Sequence, residues 1–397
     1  MKRLLVRTAV LLLFGILVIG SIAFPSIANG QTGTTPTPAQ APIASRTVTD
    51  LVGAGQDTEQ VMRFFPQNLT VRAGDTVDWK MNGDEIHTVS FMGQDAFKGT
   101  PANWLTQDTG DVPGRMVPGL VVPLANAQSP TDVQFDPLMF FPTRQQGAPV
   151  EHFSGSGFIS SGVMAKTAPP FVPPGTPAND TFSVVFDKPG TYTFVCLVHL
   201  GAMRGTVTVL PQDATAVPSQ AEIDSEAQKE IAPMIGLVKA AEGQGQALAR
   251  KEPGTNGTTT YYVRAGNVDF TTGDITAQSF AFYPQTATIQ AGDTVVWSST
   301  YIHTITFKPS PPPPAFAVLK PQTSGPPLLL PAPEVFTEAR PSATYDPTQY
   351  YNSGDLGIFG SNGWSWALTF DKPGTYEYYC ALHQELGMKG TIIVQPK

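Results

Sequence analysis

Cysteine is nearly missing from this chain, with two in 397 residues, and histidine is scarce at five. Two cysteines cannot staple a small disulfide-dense scaffold. Five histidines, with no His-x-His pair among them, are too few for clustered multi-metal chemistry. The ten methionines are scattered rather than gathered in a tract. Charge is low as well: Asp, Glu, Lys and Arg make up 14% of the residues, and the formal net charge is −8. An acidic chain is a poor partner for nucleic acid. Glycine and proline, by contrast, are plentiful at 37 and 38. That balance suits many short strands joined by turns.

The scarce residues are concentrated. His87 precedes Cys196-x-x-His199-x-x-x-Met203, and His303 precedes Cys380-x-x-His383-x-x-x-x-Met388. Each set offers one thiolate, two imidazoles and one thioether. Such a set suits a trigonal His₂Cys copper with a weak axial Met, the blue-copper electron-transfer site. Zinc also accepts thiolate and imidazole, but a thioether favours soft Cu(I). The cysteines hold equivalent places in the two sets, so a disulfide between them would join the interiors of two separate units. The fifth histidine, His152, has no Cys or His neighbour and reads as a loop residue.

The surroundings repeat too. Phe65-Pro66-Gln67 leads to Ala73-Gly74-Asp75-Thr76-Val77 and Trp79; Tyr283-Pro284-Gln285 leads to Ala291-Gly292-Asp293-Thr294-Val295 and Trp297. Phe186-Asp187-Lys188-Pro189-Gly190-Thr191-Tyr192 answers Phe370-Asp371-Lys372-Pro373-Gly374-Thr375-Tyr376. A repeat this long means two similar domains rather than a solenoid. Period-two alternation puts Tyr192, Phe194 and Cys196 on one strand face, and Tyr376, Tyr378 and Cys380 on another. One short interstrand loop per copy thus carries Cys, His and Met, while the other His arrives from a distant strand. The tryptophans read as core residues.

These motifs resemble the cupredoxins, especially the plastocyanin-like group, over two tandem domains. The resemblance implies an all-β chain of two Greek-key β-sandwiches, with His87, Cys196, His199, Met203, His303, Cys380, His383 and Met388 as ligands of two type 1 coppers. It implies a one-electron carrier that binds no substrate. Two departures stand out. Thr88 and Thr304 follow the first histidines, where plastocyanins usually have Asn, and the loop to Met203 is one residue shorter than that to Met388. Glu385, in the second loop, is expected to lower that site's potential if it lies close and poorly solvated. Copper storage or delivery is an alternative function. A copper enzyme of the nitrite reductase or multicopper oxidase type needs more histidines than this chain has spare.

The domain boundaries follow from composition: a signal segment at 1–28, a flexible linker at 29–45, domains at 46–212 and 257–397, and a helical connector at 213–256. Ser219-Gln220-Ala221-Glu222 is a candidate capping box for the connector helix, and Pro233 is expected to kink or split it. Each domain carries a long insertion, either a cover for the metal end or surface decoration; Pro311-Pro312-Pro313-Pro314 in the second favours polyproline II. At the N-terminus, Lys2, Arg3 and Arg7 precede an apolar run from Thr8 to Phe24 and the small-residue site Ser26-Ile27-Ala28. This reads as a secretory signal, or, uncleaved, as a membrane anchor. Its removal leaves 21 basic against 32 acidic residues, a net charge of −11. The expected location is periplasmic, extracellular or on the outer face of the cytoplasmic membrane, with redox proteins as donor and acceptor.

Overall fold

Short alternating segments become strands because one face of each is apolar and the other polar. The computed structural model describes residues 43–93, 121–123, 133–144, 150–169, 172, 175–199, 202–272, 274–299, 301–307, 315–323, 327–357 and 364–397. The signal segment, nearly all of the linker and Pro311–Pro314 lie outside them. In each copy the repeated Ala-Gly-Asp turn ties strands together through its carboxylate. Asp75 accepts from the backbone N–H of Arg46 and Arg72, and Asp293 from that of Thr259 and Gln290. The repeated tyrosine closes the other turn: the hydroxyls of Tyr192 and Tyr376 donate to the Lys188 and Lys372 carbonyls.

Each copy is a sandwich. In the first, strands Asn68–Arg72, Arg204–Leu210, Gly190–Val195, Ser90–Met92 and Phe158–Ser160 make a small sheet; in the second, Thr286–Gln290, Lys389–Gln395, Gly374–Tyr379, Thr306–Phe307 and Tyr351–Asn352 do the same. The facing layers are not separate. Strand Glu59–Phe65 pairs antiparallel with Ala277–Tyr283, fusing both copies into one ten-stranded sheet among the described residues. The seam pairs Gln60 with Gln278. These differ by 218 positions, as do the repeat equivalents Phe65 and Tyr283. Gln60 thus pairs with its own counterpart, and a pseudo-two-fold axis passes through the pair, the isologous contact of a symmetric dimer written into one chain.

Helix Gln220–Leu248 lies across this seam. Its Ser219–Glu222 capping box is formed. Period two along Glu59–Phe65 sends Met62 and Phe64 into the sandwich and Val61 and Phe65 towards Ala227, Met234 and Val238 of the helix. Ala277, from the second copy, joins the same cluster. Pro233 does not split the helix. It is solvent-exposed, and packing of Ala227 on one side and Met234 on the other outweighs one lost backbone bond. The connector region also contributes a strand, Arg250–Pro253, which pairs with Thr259–Val268.

The insertions are structural. Phe158–Ser160 extends the first small sheet, and Glu151–Phe153 edges the large one. Hairpins Val121–Pro123/Val133–Phe135 and Ala317–Lys320/Leu328–Pro331 come one from each copy. They meet: the Phe135 ring lies 6.0 Å from Phe316 and 5.9 Å from Phe336.

Trp79 and Trp297 are fully buried. Their parallel-strand partners differ: Trp79 stands opposite Asp50, Trp297 opposite Val263. Asp50 is fully buried, and neither carboxyl oxygen makes a hydrogen bond. Burial, the dominant cause, pushes its pKa well above the ordinary carboxylate value. A group whose folded pKa is raised helps the fold below its unfolded pKa, and that help is lost as pH rises towards the folded value. Asp50→Val, the residue of the other copy, is expected to raise stability by about 1–3 kcal/mol at neutral pH. It should also flatten the decline above pH 4, whose limiting slope is about 1.4 kcal/mol per pH unit. Denaturant unfolding of both proteins at several pH values reads this; an unchanged slope would assign the pH dependence elsewhere.

Candidate metal centres

The strand that leads into the cysteine and the strand that leaves are antiparallel neighbours, Gly190–Val195 with Arg204–Leu210 and Gly374–Tyr379 with Lys389–Gln395. Their connecting loop is therefore short, and it brings Cys, the second His and Met together. The first histidine comes from across the sandwich, fixed by isolated bridges of His87 to Met164 and of His303 to Leu356.

His87, Cys196 and His199 converge, and so do His303, Cys380 and His383; all six are buried. In the first group the two Nδ1 atoms are 3.1 Å apart, and Cys196 Sγ lies 3.9 and 3.6 Å from them. In the second the distances are 3.1, 3.8 and 3.4 Å. An ion about 2.0–2.3 Å from nitrogen and sulfur donors fits inside such a triangle. Met203 and Met388 are fully buried, and each ends the loop the same way: the Cys N–H donates to the Met carbonyl, at 3.0 and 3.1 Å. The extra residue of the second loop is taken up by the 3₁₀ turn Gln384–Leu386, with Gly387 at φ +87°.

Burial sets the electrostatics. It lowers His199 and His383 to about 3 and pushes the thiols of Cys196 and Cys380 up to about 11. His87 and His303 are held well below the ordinary imidazole value, first by burial and then by the facing histidine. Without metal, each group is thus two neutral imidazoles and one protonated thiol. The imidazoles are in their ligating form, and a bound metal must displace the thiol proton.

Thr88 and Thr304 tie the cysteine loops to the segments of the first histidines. Their N–H groups point at the cysteine sulfurs at 3.3 Å, and their hydroxyl oxygens accept from Leu197 N–H and Ala381 N–H at 2.7 Å. Thr88→Val or Thr304→Val leaves that N–H buried and unpaired. Each is expected to cost about 1–3 kcal/mol, with Ser in place of Thr costing much less, as measured by denaturant unfolding. Equal losses for Ser and Val would mean that the methyl packing matters rather than the bond.

Three features escaped the sequence reading. Gly53 (φ +71°) and Gly266 (φ +63°) form bulges in equivalent strands and press against the imidazoles: a Cβ there would fall 2.7 Å from His87 Nε2 and 2.0 Å from His303 Nε2. A lone Gly within a strand pattern was the available signal. Glu85 Oε1 lies 4.0 Å from His199 Nε2, and burial raises its pKa to about 8. Phe280 stacks on His383 at 4.3 Å. Glu385 is exposed, which removes the basis for its expected effect; the half-turn after His383 points it outward, and the near carboxyl belongs to the first centre. His152 lies in neither group. It sits on strand Glu151–Phe153, largely exposed, 2.8 Å from Asp187. Both cysteines are free.

Greek-key sandwiches with a His₂Cys group and a buried Met at one end define the cupredoxin class. A family profile described as copper binding proteins, plastocyanin/azurin family, matches residues 173–210 and 269–395. These take in Cys196, His199, Met203 and the whole second set. Plastocyanin from Scenedesmus fuscus is 31% identical over 119 residues, which cover 30% of this chain and 89% of that protein. Chloroplastic plastocyanin from Physcomitrium patens is 57% identical over 30 residues, 8% of this chain and 18% of that one. Among solved structures, oxidised plastocyanin from Dryopteris crassirhizoma is 25% identical, with a TM-score of 0.18, covering 34% of this chain and 99% of that one. The chain belongs to the plastocyanin/azurin family of copper-binding proteins.

Proposed function

We propose that each copy holds one type 1 copper, ligated by His87, Cys196, His199 and Met203 in the first and by His303, Cys380, His383 and Met388 in the second. The chain then carries single electrons between redox proteins outside the cytoplasmic membrane. The observation that carries this reading is the duplicated, buried His₂Cys triangle with its buried methionine. Bound copper supplies a one-electron couple at each site. The chain's own residues hold the donors still: the bridges at His87 and His303 fix one imidazole, Thr88 and Thr304 pin the cysteine loop, and their N–H groups polarise the sulfur. Donors locked in this way rearrange little when the charge changes. Closed burial of every donor favours electron relay over substrate turnover, and His152 offers no further ligand near either group. Export rests on the basic-apolar N-terminal segment. Among the described residues, no helix is long and apolar enough to cross a membrane.

The test is metal counting with optical and EPR spectroscopy on copper-loaded protein. Two coppers per chain and an intense blue colour when oxidised are expected. A stoichiometry near zero, or colourless Cu(II), would overturn the assignment.

A further inference from the structure

The pseudo-two-fold seam turns the metal ends of the two copies towards each other. His199 and His383, the second imidazole of each group, line one cavity of about 100 Å³. They are only 5% and 8% exposed. Ile86 and Ile302, equivalent residues of the two copies, line it too, with Val198 and Leu382 beside the two histidines. The insertions contribute to its wall through Phe135 of the first copy and Phe316 and Phe336 of the second. Leu197, next to Cys196, packs in one cluster with Ala317 and Leu329 of the other copy. Tyr301 of the second copy and Glu85 of the first line the same cavity.

We propose that His199 and His383 are facing ports of an internal electron-exchange pair: an electron delivered to one centre crosses the shared cavity wall to the other within the same molecule. This rests on the copper occupancy proposed above. One electron leaves the reduced centre and enters the oxidised one; no bond forms or breaks, and no proton moves. Both imidazoles are nearly buried along the shared cavity, so they serve the partner centre and not an outside protein. A largely apolar interface suits the task, because little solvent reorganises as the charge shifts.

The experiment first needs distinguishable centres. Met388→Gln changes the axial donor of the second centre, and so its spectrum and potential; Met203→Gln is the reciprocal variant should the first fold poorly. Sub-stoichiometric flash reduction deposits electrons on both centres, and redistribution to the higher-potential one is followed optically. The expected rate is unchanged over a tenfold dilution of the protein. Pulsed dipolar EPR of the doubly oxidised wild type should show copper–copper coupling that half-loaded protein lacks. A redistribution that slows tenfold on tenfold dilution, or does not occur, overturns the internal pair. So does a missing dipolar coupling in protein that holds two blue centres, and in those cases the carrier assignment stands. Protein that binds no copper removes both.

Discussion

Replacing either cysteine by serine is expected to remove about half of the blue absorption, and replacing both to remove all of it. The thiolate defines this class of site, and a serine hydroxyl does not ionise to replace it. Each cysteine serves one group only: Cys196 Sγ meets His87 and His199, and Cys380 Sγ meets His303 and His383. The hydroxyl that pins each loop also comes from the same copy, Thr88 in one and Thr304 in the other. The surviving centre should therefore keep its spectrum even though the two copies share a sheet. Serine nearly matches cysteine in volume, so the fully buried site need not collapse. Integrated EPR intensity and copper content should fall together. Metal loading should release about one proton per intact site, because burial keeps the thiols protonated beforehand. Loss of both signals from a single substitution would mean that one centre cannot form without the other.

Gly266→Ala is expected to abolish the second centre while leaving the first. Two effects combine. At φ +63° a Cβ is strained, at about 1–2 kcal/mol. More importantly, it would fall 2.0 Å from His303 Nε2 and 2.7 Å from Cδ2 of the same ring. The ring has nowhere to go: it is 1% exposed, and Phe280 stands edge-on at 5.6 Å. The imidazole must leave the donor triangle or the strand must shift. Copper content should drop from two to one per chain, with a lower midpoint of thermal unfolding. Gly53→Ala should harm the first centre by the same route but less severely, since its Cβ would lie 2.7 Å from His87 Nε2. If Gly266→Ala bound two coppers with an unchanged spectrum, the glycine would be needed for its backbone alone.

Much of this protein is legible along the chain because its chemistry is local. Cys196, His199 and Met203 lie within eight residues, as a strand–loop–strand unit requires, and the second copy repeats them. Period-two alternation places Phe194 and Cys196 inward, and the structure buries both. The capping box Ser219–Glu222 depends only on four consecutive residues and is formed. His87 and His303 could be named because histidine is scarce and the sets repeat, although nothing local shows their partners.

What required the tertiary structure depends on residues far apart in sequence. The union of two sandwiches into one sheet follows from the Gln60–Gln278 register, a backbone pairing that no side-chain pattern announces. Pro233 obeys helix chemistry in isolation, yet packing of its neighbours across the seam keeps the helix whole. The two acidic residues make the point for the sites. Glu385, two positions after His383, looks close in sequence but is turned to solvent. Glu85, more than a hundred positions before His199, lies 4.0 Å from its ring. Distance along the chain governs proximity only within a turn or a strand. Beyond that the fold decides, and here it decided that His199 and His383, 184 positions apart, are nearly buried along one cavity between the copies.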